Sequence, residues 1–86
     1  MNELRIDFID TVELMNSNDY RDRFKAEYYQ TKIRYDRLHR MVIKCEAGVS
    51  PFEPKCPLKL LKEQLSYMGN YLRTLEIRAL IENIDL

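Results

Sequence analysis

Two seven-residue patterns, one on each side of a proline-bearing break, decide most of what this chain can fold into. From Phe24 an apolar stripe continues through Tyr28, Thr31, Tyr35, Leu38, Val42 and Cys45, in alternating steps of four and three. From Leu58 a second stripe continues through Leu61, Leu65, Met68, Leu72, Leu75 and Ala79, in steps of three and four. Such steps keep side chains on one strip of an α-helix and mark a seam that faces another helix. Thr31 is the one polar member of the first seam. A weaker stripe on the same helix holds Ala26, Tyr29 and Ile33.

The stretch from Ala47 to Lys55 contains Gly48, Pro51 and Pro54, so the chain must leave the helix there. Pro57 suits the first turn of the next helix. The spacing therefore predicts a helix over 19–46, ending at Cys45 or Glu46, and another over 57–83. Two such helices, joined by a connection of about ten residues, pack as an antiparallel hairpin. Phe52, the one large apolar residue of the connection, is expected to plug the end of the bundle. Ahead of the hairpin, a short acidic helix is predicted within 1–16, over about residues 2–15. Leu4, Phe8 and either Val12 or Met15 mark its apolar face. The polar run Asn16, Ser17, Asn18, Asp19 stops it and caps the next. The expected fold class is all-α, a single domain over 1–86. Two glycines and three prolines leave little turn chemistry for an all-β fold, and 86 residues exclude barrel and doubly wound enzymes.

A lone hairpin has one seam and buries little surface against the entropy of ordering the chain. The third helix also carries Leu60, Tyr67, Tyr71, Ile77, Leu80, Ile81 and Ile84 off its seam. The short first helix can cover one face. The remainder argues for a homo-oligomer.

Formal charge sums to zero, but it is unevenly spread. Residues 1–19 carry Arg5 against five carboxylates, a net of −4. Residues 20–44 carry eight cations against Asp22, Glu27 and Asp36, a net of +5. Tyr20, Tyr28, Tyr29 and Tyr35 are interleaved with those cations. Cations beside stacking platforms suit a ligand made of phosphates and bases. An enclosed nucleotide fits better than duplex DNA, because a neutral chain lacks the long-range field that duplex binding exploits. The ordinary alternative is a solvated helix face.

No apolar run approaches the ~20 residues that span a bilayer, and the acidic N-terminus lacks a signal-peptide core. A cytoplasmic protein with no membrane partner is expected. Cys45 and Cys56 are expected as thiols; with His39 they match no standard zinc spacing. There is no phosphate-binding glycine loop and no triad pattern around the single His39. No enzyme activity, catalytic residue, metal or cofactor is expected.

Two blocks carry a family resemblance. The first is Asp19-Tyr20-x-x-Arg23-x-x-x-Glu27, continued in register by Arg34 and Leu38. The second is Leu61-x-x-Gln64-x-x-x-Met68-x-x-Tyr71-x-x-x-Leu75-x-x-Arg78. Over roughly residues 19–84 the chain resembles the anti-CBASS cyclic-oligonucleotide sponges of phages. The acidic first segment, the prolines and Cys56 depart from that pattern. The resemblance implies a compact helical oligomer, with a hexamer favoured, in the cytoplasm of the infected bacterial host. It implies capture of cyclic dinucleotide immune signals without hydrolysis, with cyclic trinucleotides an open second class. It implies that Tyr20 contacts a base and that a cation further along binds phosphate, with Arg34 the best match and Lys32 a near alternative. Arg23 belongs to the same block. Gln64, Met68 and Tyr71 are read as packing and interface residues. Tyr20 and Arg34 lie fourteen residues apart, ~21 Å of helix rise and within ~40° of one face. Sharing one small ligand then takes two chains, with Tyr20 of one beside Arg34 of the other. The competing reading is an adaptor hairpin that binds a protein through its apolar third helix; a weaker one is a small nucleic-acid-binding module using the basic helix.

Overall fold

Three helices form in the computed structural model, which describes residues 7–86: α1 (Phe8–Met15), α2 (Tyr20–Glu46) and α3 (Leu58–Glu82). The expected all-helical architecture, a short helix followed by a long hairpin, is present, and no strand occurs among the described residues. α1 is shorter than the sequence suggests. Asp7 is extended, with φ −93° and ψ 169°, and its N–H donates to Asp10 Oδ2 at 3.0 Å. A helix cannot run through that residue, so α1 begins at Phe8. Leu4 lies outside the described residues.

The buried strip of α1 also differs. Val12 is exposed, whereas Thr11 is fully buried. Its hydroxyl donates to the Phe8 carbonyl at 2.6 Å and accepts from Gln30 Nε2 at 3.1 Å, so the buried polar atom is satisfied. The hydropathy pattern offered Val12 or Met15, both exposed, because it cannot see a threonine whose hydroxyl has a partner.

α2 is the central helix. Asp19 caps it through a bond from the Arg21 N–H at 2.9 Å. It ends where Gly48 takes a left-handed φ of 76° and Val49 N–H returns to the Lys44 carbonyl at 3.0 Å. On one side the main seam meets α3. Phe24 and Tyr28 pack with Leu72, Leu75 and Ala79, flanked by Tyr29 and Tyr35. Tyr28 also donates to Glu76 Oε2 at 2.7 Å, and its hydroxyl proton is held more tightly than usual by burial and by that carboxylate. On another side α2 carries α1. Fully buried Ala26 lies in the same helical row as Gln30, Arg34 and Arg37, which touch α1. The weaker stripe at Ala26 thus has a purpose: it is part of the seat of α1.

This arrangement corrects one expectation. α1 packs on α2, and among the described residues it does not meet α3. It therefore leaves the outer face of α3 uncovered, with Tyr67, Leu80 and Ile81 among the most exposed apolar groups of the molecule. Ile84 needs a second correction. Asn83 adopts φ 58° and ψ 45°, and Ile84 N–H donates to the Ala79 carbonyl at 2.8 Å. That reversal drops Ile84 into the core beside Ala79, so it is not part of an exposed face. Phe52 departs in the opposite sense: it stays 57% exposed and plugs nothing.

Candidate ligand-binding site

Tyr20 opens α2, and α3 runs antiparallel to it, so the last turn of α3 arrives beside the first turn of α2. The Tyr20 hydroxyl donates to Glu82 Oε1 at 2.7 Å and accepts from Arg78 Nη2 at 2.8 Å. Arg78 Nε closes the set on Glu82 Oε2 at 3.2 Å. The Tyr20 ring meets Phe24 edge-on at 6.2 Å, and the Arg78 guanidinium stands 5.0 Å from the centre of the Phe24 ring. Donation from Tyr20, then from Arg78, holds the Glu82 carboxyl below its usual range. The hydrogen bond to Glu82 in turn raises the Tyr20 hydroxyl above its usual value. The hydroxyl is thus engaged on both its donor and acceptor sides. What Tyr20 presents to solvent is its ring, 47% exposed.

The cations separate by what they touch. Arg34 lies 5.3 Å from the Phe8 ring of α1, and Arg37 lies 5.0 Å from the same ring. Lys32 bonds to Asp36 at 3.1 Å and stands 5.9 Å over the Tyr35 ring. Arg23 donates to the Ser17 carbonyl at 2.9 Å, which ties the α1–α2 link to α2. Among the described residues Arg34 forms no ion pair, so its guanidinium keeps its charge uncompensated there. Of the two alternatives, Lys32 has a carboxylate partner and Arg34 has none among the described residues.

One chain does not bring Tyr20 and Arg34 together. Tyr20 is tied to α3, whereas Arg34 lies against α1. Two clefts flank the first half of α2. One, of about 520 Å³, is lined by Arg21, Lys25, Leu80 and Asn83; the other, of about 380 Å³, by Arg23, Glu27 and Thr31. Neither holds Tyr20 or Arg34. His39 stacks on Tyr35 at 5.9 Å and is exposed. No three His, Cys, Asp or Glu side chains converge as a metal site among the described residues. No helix among those residues is long and apolar enough to cross a membrane.

Sequence reasoning placed Arg78 only as a register mark and passed over Glu82. Their i, i+4 spacing is legible in the chain. Their closure on Tyr20 depends on the hairpin register, which no local pattern encodes.

A family model described as Sequestin matches residues 18–81. The match takes in the whole of α2 and all but the last residue of α3, and leaves out α1. No curated protein matches the chain, and no solved structure does.

Proposed function

The chain belongs to the Sequestin family, phage anti-CBASS sponge proteins that bind and sequester cyclic-nucleotide signals, and from that premise we propose that it captures cyclic dinucleotides in the cytoplasm of the infected host and holds them without hydrolysis. The family match across both long helices carries this reading. The residue roles rest on chemistry. Tyr20 offers an exposed ring, pinned through its hydroxyl, on which a base stacks. Arg34 offers a phosphate a charge-assisted, bidentate donor set. An antiparallel pair of α2 helices from two chains sets Tyr20 of one beside Arg34 of the other. A two-fold axis then gives two equivalent sets, which matches a ligand with two bases and two phosphates.

Such a site exists only in an assembly. The uncovered face of α3 supports one, because Leu60, Tyr67 and Ile81 recur at multiples of seven along it and Leu80 and Ile77 flank them. A homohexamer is the assembly the family resemblance implies.

The test is a thermal-shift panel of cyclic di- and trinucleotides, followed by calorimetry and recovery of the ligand. A ligand at 100 times its Kd stabilises by ~2.7 kcal/mol. Tyr20→Ala and Arg34→Ala are each expected to weaken binding at least about tenfold with the oligomer intact, within the range of a lost base stack or charged contact. Mixing the two variants should restore part of the binding, since hybrid assemblies contain intact half-sites. A panel in which no cyclic nucleotide stabilises the protein overturns the reading. Parent-like binding by either variant overturns that residue's role, and recovery of linear product overturns sequestration without cleavage.

A further inference from the structure

At the loop end of the hairpin, Arg37, Arg40 and Lys44 follow one another in steps of three and four, so they share a strip of α2. With Met41, Pro51 and Phe52 they line a cleft of about 210 Å³. None of the three cations forms an ion pair among the described residues. Glu46, the carboxylate that ends α2, is drawn across the hairpin to Lys62 at 2.7 Å. Cations near a helix C-terminus relieve its dipole, but that effect fades within the last turn. It accounts for Lys44 and not for Arg37 or Arg40.

Phe52 is the second observation. The Ser50 hydroxyl donates to the Phe52 carbonyl at 2.6 Å and accepts from its N–H at 3.3 Å, and Pro51 stiffens the same turn. The turn thus fixes a large apolar ring in water beside three cations. Arg37 is steadied from the other direction by the Phe8 ring. Guanidinium groups beside an open aromatic face combine phosphate capture with base stacking.

We propose that Arg37, Arg40, Lys44 and Phe52 form a second anion site that takes a single strand of nucleotides, its phosphates on the cations and a base on the Phe52 ring. The cleft is smaller than the ~300 Å³ at which pockets begin to enclose a whole small ligand. It takes one link of a chain whose remainder continues into solvent. An acidic peptide would satisfy the cations and leave Phe52 without a role. Arg40 lies six residues beyond Arg34, ~9 Å along α2 and ~120° round the helix, so the strand site neighbours the cyclic dinucleotide site and Phe52, off α2, is the residue that separates them.

The probe is a fluorescently labelled thymidine hexamer, followed by anisotropy with the full chain. Three phosphate contacts to a single strand predict a loss of roughly twentyfold in affinity between about 50 and 200 mM salt. Phe52→Ala should weaken binding about fivefold or more, as a lost base stack does. Arg40→Glu should reduce it below detection. Phe52→Ala should keep cyclic dinucleotide binding, and both variants should keep the parent's assembly state. No binding at the lower salt overturns the proposal. So does a Phe52→Ala variant that binds like the parent, or a glutamate-rich peptide that competes as well as the unlabelled strand. If Arg40→Glu disturbs assembly, Phe52→Ala alone decides.

Discussion

The two ends of the hairpin carry the same heptad pattern and are held differently. At the Tyr20 end, Phe24, Tyr28, Leu72, Leu75 and Ala79 are buried, and Ile84 turns back over them. At the loop end, Leu38, Cys45, Leu58, Leu61 and Leu65 occupy equivalent seam positions yet stay half-buried, with Val42 the exception at 2% exposure. The seam decides which faces meet. How deeply they are buried depends on what closes the edges. At one end the edges are closed by Ile84, by Tyr29 and by the Tyr20–Arg78–Glu82 set. At the other the connection leaves the hairpin with Phe52 in solvent, and one exposed ion pair, Glu46 with Lys62, bridges the helices.

Truncations should expose the contrast most strongly. Leu75→Ala removes a side chain that is 1% exposed and should cost ~2–5 kcal/mol in urea unfolding. Leu65→Ala, at a half-buried site, should cost about half as much or less, because water already reaches part of what is removed. Equal losses would break the comparison.

Backbone substitutions sharpen it at a smaller scale. A Cβ on Gly69 meets the Tyr35 ring at 3.5 Å, ordinary contact distance, within a helix. Gly69→Ala should therefore stabilise by up to ~1 kcal/mol through helix propensity. Gly48→Ala has open space but a left-handed φ of 76°, and should destabilise by ~1 kcal/mol. The same chemical change thus takes opposite signs at two places, and thermal melting of the pair reads both.

The smallest effect is in acid. Glu82 has a depressed folded-state value, so its contribution is present above its ordinary value of 4.5 and fades as pH falls through the lower folded value. The stability advantage of the parent over Glu82→Gln should shrink across that window. Parallel acid profiles for the two proteins would show that the set closing this end adds nothing through its charge.

The helical class, both long helices to within one residue at each end, and the seams were legible because period and punctuation are local signals. Three features were not. Thr11 hides its polarity in a hydrogen bond to a residue on another helix. Ile84 lies beyond a left-handed Asn83, where a helical wheel no longer applies. Phe52 looks like core by hydropathy and is held outward by a serine–proline turn. Of the proposed site, Tyr20 and the surplus of cations could be read from the chain. The Glu82 and Arg78 partners of Tyr20 could not, because a contact across 62 residues follows from register.

α1 stands before the stretch that the family model matches, and its contacts fall on the side of α2 turned away from α3. A splint placed there leans on α2 alone, so exposed residues on it can be exchanged without touching the seam between α2 and α3. The hairpin is the part that the family model matches, and α1 lies outside it. Its carboxylates, Asp10 and Glu13 exposed along a strongly basic neighbour, give such variation an electrical consequence. Each acid added or removed on the splint resets the local potential of α2 while leaving every seam residue in place.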